Sequence, residues 1–232
     1  MTVRRSVVTG ANRGLGLEFV RQLLARGDRV VAACRNPGKA SALNTLVGEH
    51  PGRLHVLPLD VADPKSIIQF ARELPLVSDG IDLLVNNAGV LHSGERFGSV
   101  TAAHLDDSFH TNGRGPFLFT QALAPLLADG ARVANLSSPL GSIAGVERFG
   151  SPSYNISKAA LNMVTALLAQ ALHARDIVVL ALSPGWAQTE MGGPNATVPP
   201  QQSVGGLLQV IDAATLQDTG RFLDWQGQPL AW

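Results

Sequence analysis

Thr9-Gly10-Ala11-Asn12-Arg13-Gly14-Leu15-Gly16 joins a strand to a helix and sets the fold class of the chain. An apolar strand, Ser6–Thr9, leads into it, and a helical pattern over Gly14–Arg26 leads out. Glycines let a chain turn tightly and let its backbone approach a bound group closely. The helix that follows offers free N–H groups and a partial positive charge, which suits a phosphate. Three residues, rather than one, separate the first two glycines, so the spacing departs from the common dinucleotide fingerprint. Taken alone, the stretch also reads as a plain tight turn.

On either side of this turn, short apolar runs alternate with longer helical ones. Further strands are expected at Arg29–Cys34, Leu54–Pro58, Ile81–Asn86, Arg132–Leu136, Ile177–Leu182 and Arg221–Asp224. Helices are expected at about 39–48, 63–73, 101–110, 115–128, 154–174 and 202–214. Strands that alternate with helices require crossover connections, hence a parallel sheet covered on both faces. Right-handed crossovers make it doubly wound, a Rossmann-type α/β fold. No linker, repeat or low-complexity tract divides the chain, so residues 1–232 read as one domain. The Gly/Pro-rich stretch Pro184–Pro200 reads as a loop or lid. The helices at 115–128 and 154–174 are apolar on more than one side, which calls for a second partner besides the sheet. A homo-oligomer, dimer or tetramer, is the expected form.

Of the 232 residues 45% are apolar and 16% charged, enough to bury a large core. The formal net charge of zero gives no pull toward nucleic acid or an acidic membrane. Charge is uneven, however: residues 1–39 hold eight Arg or Lys against two acids, Glu18 and Asp28. The single cysteine, Cys34, excludes an internal disulfide, and its apolar neighbours predict a buried structural thiol. No signal peptide or membrane-length apolar run is present, so a cytoplasmic location is expected.

Two arginines sharpen the reading of the turn. Arg13 would face the positive end of the helix dipole, a mildly unfavourable position that a phosphate would relieve. Arg35 follows the second strand, where many NAD enzymes carry an acid for the adenosine ribose. Here the strand ends Ala33-Cys34-Arg35, without one. A guanidinium there suits a 2′-phosphate, so NADP is the expected cofactor.

Tyr154 and Lys158 are four residues apart at the start of a long helical pattern, which puts both on one face. A phenol is a poor acid or base at neutral pH, with a free pKa of about 10. A neighbouring ammonium favours the phenolate and is expected to bring Tyr154 toward the working range. Asn135-Leu136-Ser137-Ser138 ends the fifth strand, at the edge where such sheets bind ligands. A hydroxyl there suits a developing negative charge on a carbonyl oxygen. Asn112 alone reads as a turn or helix-capping residue.

With these motifs in order, the chain resembles the short-chain dehydrogenase/reductase family over essentially its whole length. The resemblance rests on Thr9–Gly16, Asn86-Asn87-Ala88-Gly89, Asn112, Ser138, Tyr154-x-x-x-Lys158, and Pro184-Gly185 with Thr189. The stretch Ser183–Gly193 is similar to a branch containing bacterial C-factor and sniffer-type carbonyl reductases. The resemblance implies that Tyr154 is the general acid in reduction and the base in oxidation. Lys158 would lower its pKa and bind the nicotinamide ribose, and Ser138, rather than Ser137, would position the substrate carbonyl. Asn112 would hold a water linking Lys158 to solvent. Gly10, Asn12, Arg13, Gly14, Leu15 and Gly16 would form the cofactor turn. Arg13 and Arg35 would meet the 2′-phosphate, and Asp60 and Val61 would border adenine. Asn87, Ala88, Gly89, Pro184, Gly185 and Trp186 would line the cofactor, with Thr189 on its carboxamide. No metal is expected.

The interval from Ser138 to Tyr154 is three residues longer than in the commonest members. The extra length falls near Gly145–Pro152, where Phe149, with Trp186 and Met191, reads either as pocket wall or as core. The sequence thus predicts NADPH-dependent reduction of an aldehyde, ketone or quinone. The alternative is a nucleotide-binding signalling or regulatory protein with little turnover.

Overall fold

The computed structural model describes residues 3–232. Seven strands form one all-parallel sheet in the order β3-β2-β1-β4-β5-β6-β7. They are β1 (Arg5–Thr9), β2 (Arg29–Cys34), β3 (Leu54–Pro58), β4 (Ile81–Asn86), β5 (Leu127–Leu136), β6 (Val178–Ser183) and β7 (Phe222–Asp224). The helices are α1 (Gly14–Ala25), α2 (Ser41–Glu49), α3 (Pro64–Glu73), α4 (Ala102–Phe109), α5 (Gly115–Leu123), α6 (Pro152–Leu172) and α7 (Pro200–Ala213).

Alternate residues of each strand feed opposite faces, as the pleat dictates. Val8, Val30, Ala32 and Leu83 pack with Leu17, Leu23, Leu43, Val204 and Leu207 beneath α1, α2 and α7. Val7, Val31, Ala33 and Leu84 pack with Phe70, Phe119, Leu123, Leu168 and Leu172 beneath α3, α5 and α6. Both faces are therefore covered, which is why the strands carry unbroken apolar runs rather than alternation. Cys34 lies in the first of these cores, and burial pushes its thiol up, as suits a structural cysteine.

Several element boundaries differ from the sequence expectation. The helix expected to reach residue 128 ends at Leu123, because Pro125 lacks the N–H that another turn would use; a short 3₁₀ turn, Ala124–Leu126, closes it. β5 accordingly starts at Leu127 rather than Arg132, and its pairing with β4 shifts register around Gly130, which has φ +75°. The helices expected at 101–110 and 115–128 are joined by a π-helical turn, His110–Arg114, so the rod runs on through Asn112. α6 and α7 begin at Pro152 and Pro200, two residues earlier than their apolar pattern suggests, with proline in the first turn where its missing N–H costs nothing.

No helix among the described residues is long and apolar enough to cross a membrane. Residues 184–199 form neither helix nor strand; a single parallel bridge, Ala187 to Val198, holds the loop.

Candidate active site

The carboxyl edge of the sheet gathers the motifs. Thr9 and Gly10 are knotted to the residues that follow β4. The Thr9 hydroxyl oxygen accepts the N–H groups of Asn87 and Ala88, each at 3.0 Å. The Asn87 amide donates back to the Thr9 carbonyl at 2.8 Å and the Gly10 carbonyl at 3.2 Å. Gly10 has φ +63° and would bring a Cβ within 2.8 Å of the Ala88 Cα; at Gly16 a Cβ would lie 2.3 Å from the Gly10 carbonyl oxygen. These two positions exclude side chains, leaving open backbone at the start of α1. That is the cradle a pyrophosphate requires, and the residues present fit a dinucleotide.

Arg13 is the exposed residue before α1, and its guanidinium pairs with Glu190 in the loop after β6. Thr189, beside it, lies over Gly14, its methyl 3.5 Å from where a Cβ would stand. Asn12 is exposed and Leu15 half-buried on the same turn. Arg35, just past β2, is exposed and pairs with no acid among the described residues. Asp60 lies two residues past β3, its carboxylate accepting the Ala62 N–H at 2.9 Å, with Val61 buried next to it. Pro184 is fixed by the Ser203 hydroxyl, which donates to its carbonyl at 2.7 Å. Gly185 has φ +71° and packs against Trp225.

Tyr154 and Lys158 are both buried on the first turns of α6. The ammonium lies 5.5 Å from the centre of the phenol ring and donates to the Leu136 carbonyl at 2.6 Å. Burial lowers Lys158 to about 8. Burial pushes Tyr154 up to about 12, while the adjacent Ser138 hydroxyl offsets part of that. In this state burial, rather than the ammonium of Lys158, sets the direction in which the phenol shifts. The ammonium's charge is spent on a carbonyl, and the same dry surroundings that raise Tyr154 lower Lys158. At neutral pH the phenol keeps its proton.

Of the two serines, Ser137 turns inward, donating to Asn162 Oδ1 at 2.6 Å. Ser138 stays at the cleft and accepts the Leu140 N–H at 3.2 Å. Asn112 sits in the π-helical turn. Its side chain accepts the Val90 N–H at 2.8 Å and donates to the Val90 carbonyl and the Ser157 hydroxyl, each at 2.9 Å. A Cβ on Gly89 would lie 3.2 Å from Asn112 Oδ1 and 3.8 Å from Lys158 Nζ, so Gly89 borders both. Phe149, Trp186 and Met191 are 55%, 53% and 48% exposed, which excludes the core reading for all three.

Sequence reasoning missed the supports beneath this site. Asn86 donates to Asn135 Oδ1 at 2.8 Å and to Thr120 Oγ1 at 3.0 Å, and Asn135 donates to Thr165 Oγ1 at 2.9 Å. This buried ladder ties β4, β5, α5 and α6 together under the catalytic edge. Asparagines inside otherwise apolar strands were its signal. Glu190, which holds Arg13, had none.

A family model described as short chain dehydrogenase matches residues 4–198. The chain belongs to the short-chain dehydrogenase/reductase family of oxidoreductases. Within it, the chain is 42% identical to C-signal of Myxococcus xanthus over 154 residues, 66% of this chain and 93% of that one. It is 33% identical to 1-hydroxy-2-glutathionyl-2-methyl-3-butene dehydrogenase of Rhodococcus sp. (strain AD45), over 97% of this chain and 98% of that one. The NADPH-bound carbonyl reductase from chicken fatty liver superposes with a TM-score of 0.93 at 38% identity, covering 100% of both chains. Carbonyl reductase Sniffer of D. melanogaster does so with a TM-score of 0.95 at 32% identity, again over 100% of both.

The dry setting of Lys158 can be read directly. The chain has three lysines, Lys39, Lys65 and Lys158. In ¹³Cε-lysine-labelled protein without added cofactor, one signal should titrate near pH 8, and it should vanish in Lys158→Met. If no lysine signal moves near that pH, the ammonium is better solvated than its burial implies.

Proposed function

We propose that this chain is an NADPH-dependent carbonyl reductase acting on an aldehyde, ketone or quinone, with Tyr154 as its proton donor. The observation that carries the reading is a buried phenol with a serine hydroxyl beside it and an ammonium 5.5 Å from its ring, that ammonium bordered by Gly89 just past the glycine cradle's partner strand. The bound nicotinamide would supply the hydride. The chain's own groups do the rest. Ser138 and Tyr154 present two O–H groups to one carbonyl oxygen, so negative charge developing there meets two donors. As that charge develops, the Tyr154 proton passes to it. A phenol held at about 12 gives up its proton to an alkoxide and to little else at neutral pH. Lys158 then faces a phenolate, and leaving the Leu136 carbonyl for it, or for the ribose, stabilises that charge. Asn112 and Gly89 border the ammonium on its far side, a suitable place for a water that returns the proton. Trp186, Met191 and Phe149 offer the substrate apolar walls.

For the cofactor, Arg35 and Arg13 support NADP over NAD. Arg35 is free of acids, and Arg13 has to exchange Glu190 for the 2′-phosphate. The relation to an NADPH-bound carbonyl reductase points the same way. A second reading, a dinucleotide-binding signalling protein with little turnover, draws on the 42% identity to C-signal. The complete set of Asn112, Ser138, Tyr154 and Lys158 argues against it, since binding alone has no use for a buried phenol beside an ammonium.

We further propose a homo-oligomer paired through α5 and α6. On α6, Ile156, Met163 and Leu167 are 55%, 61% and 54% exposed and form one stripe along the helix. Phe109, 45% exposed, ends the neighbouring α4. Covering such a stripe removes apolar surface from water.

Three outcomes follow. Tyr154→Phe should cut NADPH-dependent reduction, assayed across aldehydes, ketones and quinones, by the ~10²–10⁴-fold typical of a lost general acid. Cofactor binding should survive, and wild-type turnover in the variant would end the mechanism. Arg35→Ala should weaken NADPH binding about tenfold, the lower end for a charged hydrogen bond because the side chain is exposed, and leave NADH within about twofold. Equal affinities of the wild type for the two cofactors would remove the NADP assignment. Light scattering at micromolar concentration should give a multiple of the 24.4 kDa chain mass, and Met163→Glu should shift it toward monomer; a monomeric wild type would refute the pairing.

A further inference from the structure

A second polar cluster, buried at Glu95 and Ser153 and open to solvent at His104 and Asp107, lies where segment 87–101 crosses from β4 to α4. Gly94 and Arg96 are exposed, yet the side chain of Glu95 between them is 1% exposed. Its Oε2 accepts the Ser153 N–H at 3.1 Å and the Ser153 hydroxyl at 2.8 Å. Its Oε1 stands 3.3 Å from His104 Nδ1 on α4. His104 stacks on His92 with ring centres 4.1 Å apart, and His92 Nε2 is 2.9 Å from Asp107 Oδ2. Burial pushes the Glu95 carboxyl up, but the Ser153 hydroxyl, its N–H and His104 outweigh burial and hold it below the usual range. Glu95 is therefore a carboxylate at neutral pH.

What this carboxylate holds is the first turn of α6. The residue before the helix, Ser151, has φ +45° and gives no side-chain cap, and Pro152 has no N–H to give. A helix start leaves its first N–H groups without partners, and an acidic acceptor there also faces the positive end of the dipole. Glu95 supplies that acceptor from 58 residues away in the chain. The next residue after Ser153 is Tyr154. We propose that Glu95 is a positioning residue for Tyr154: by capping the first turn of α6 from the β4–α4 segment, it fixes how deeply the phenol is buried. The proposal rests on the reading of Tyr154 as the proton donor only for its kinetic consequence; the geometric consequence stands apart from turnover. Without Glu95, the Ser153 N–H and hydroxyl turn to water, the turn loosens, and the phenol meets solvent.

Tyr154 is the only tyrosine in the chain, so ¹³Cζ-tyrosine labelling gives a single signal that reports this side chain alone. In the wild type without added cofactor, that signal should stay in its protonated position below the value of about 12 that burial imposes. In Glu95→Ala it should begin to titrate closer to the free value of about 10. The kcat of NADPH-dependent aldehyde reduction should fall about tenfold, the scale of a misplaced reacting group, with the KM for NADPH within about twofold. Glu95→Gln keeps an acceptor for Ser153 and should restore both readings. An unmoved tyrosine signal in Glu95→Ala overturns the proposal, and so does a kcat that falls only in step with cofactor affinity. Should Glu95→Ala be insoluble, Ser153→Ala removes only the hydroxyl arm, and silence in both readings there is equally fatal. A wild type inactive on every carbonyl tested sinks the reductase reading and leaves the titration to judge Glu95.

Discussion

The ends of β1 and β4 meet at one knot of hydrogen bonds, and the open edge of the sheet is built around it. The strand order reverses between them, so the crossovers leave in opposite directions and open a crevice at the carboxyl edge. Keeping that crevice open requires backbone where side chains would otherwise fill it. Gly10 and Gly16 meet the requirement, and Thr9 and Asn87 stitch the two strand ends together with hydrogen bonds that pass between the loops. The cofactor cradle and the floor of the catalytic edge are thus parts of one joint. Thr9, Gly10 and Gly16 are thereby coupled to Asn87 and Ala88.

The chemistry depends on a second constraint, dryness. Tyr154 and Lys158 lie side by side but are shifted in opposite senses by the same cause, since each is pushed toward its neutral form. Their surroundings are polar only at chosen points: Ser138 by the phenol, Leu136 O by the ammonium, Asn112 and Gly89 at the far side. In the proposed reaction a neutral phenol is the form needed before hydride arrives, and a poised ammonium is what is needed afterwards. The buried Asn86–Asn135–Thr165 ladder holds the strands and α6 at the spacing this demands.

Much of this was legible because it is local. Strand and helix positions follow from apolar periodicity, and the glycine turn, the Tyr154/Lys158 spacing and the serine pair at the end of β5 are read within a few residues each. The elements that shifted did so for reasons of backbone chemistry: Pro125 stopped a helix whose apolar pattern continued, and prolines 152 and 200 began helices before their patterns did. What could not be read was pairing across the chain. Glu190 to Arg13 spans 177 residues and Glu95 to Ser153 spans 58, and neither acid stands in a local pattern that marks it. The state of Lys158 was hidden for a different reason. Spacing shows that two groups are neighbours, but burial decides which of them keeps its charge.

The π-helical turn at His110–Arg114 has a consequence for how the long rod through α4 and α5 is phased. An α-helix advances by about 100° per residue, so one additional residue in a turn rotates everything beyond it by that angle. α4 is oriented by its contacts with α6 and the His92–Asp107 pair, while α5 is oriented by Phe119 against Phe70 in the core. The wide turn is a phase adjuster between these two demands, and it is where Asn112 sits. Straightening the rod would satisfy one half at the expense of the other: with α5 kept in the core, α4 would swing His104 and its acids away from the β4–α4 segment. The rod is continuous, yet its two halves answer to different neighbours.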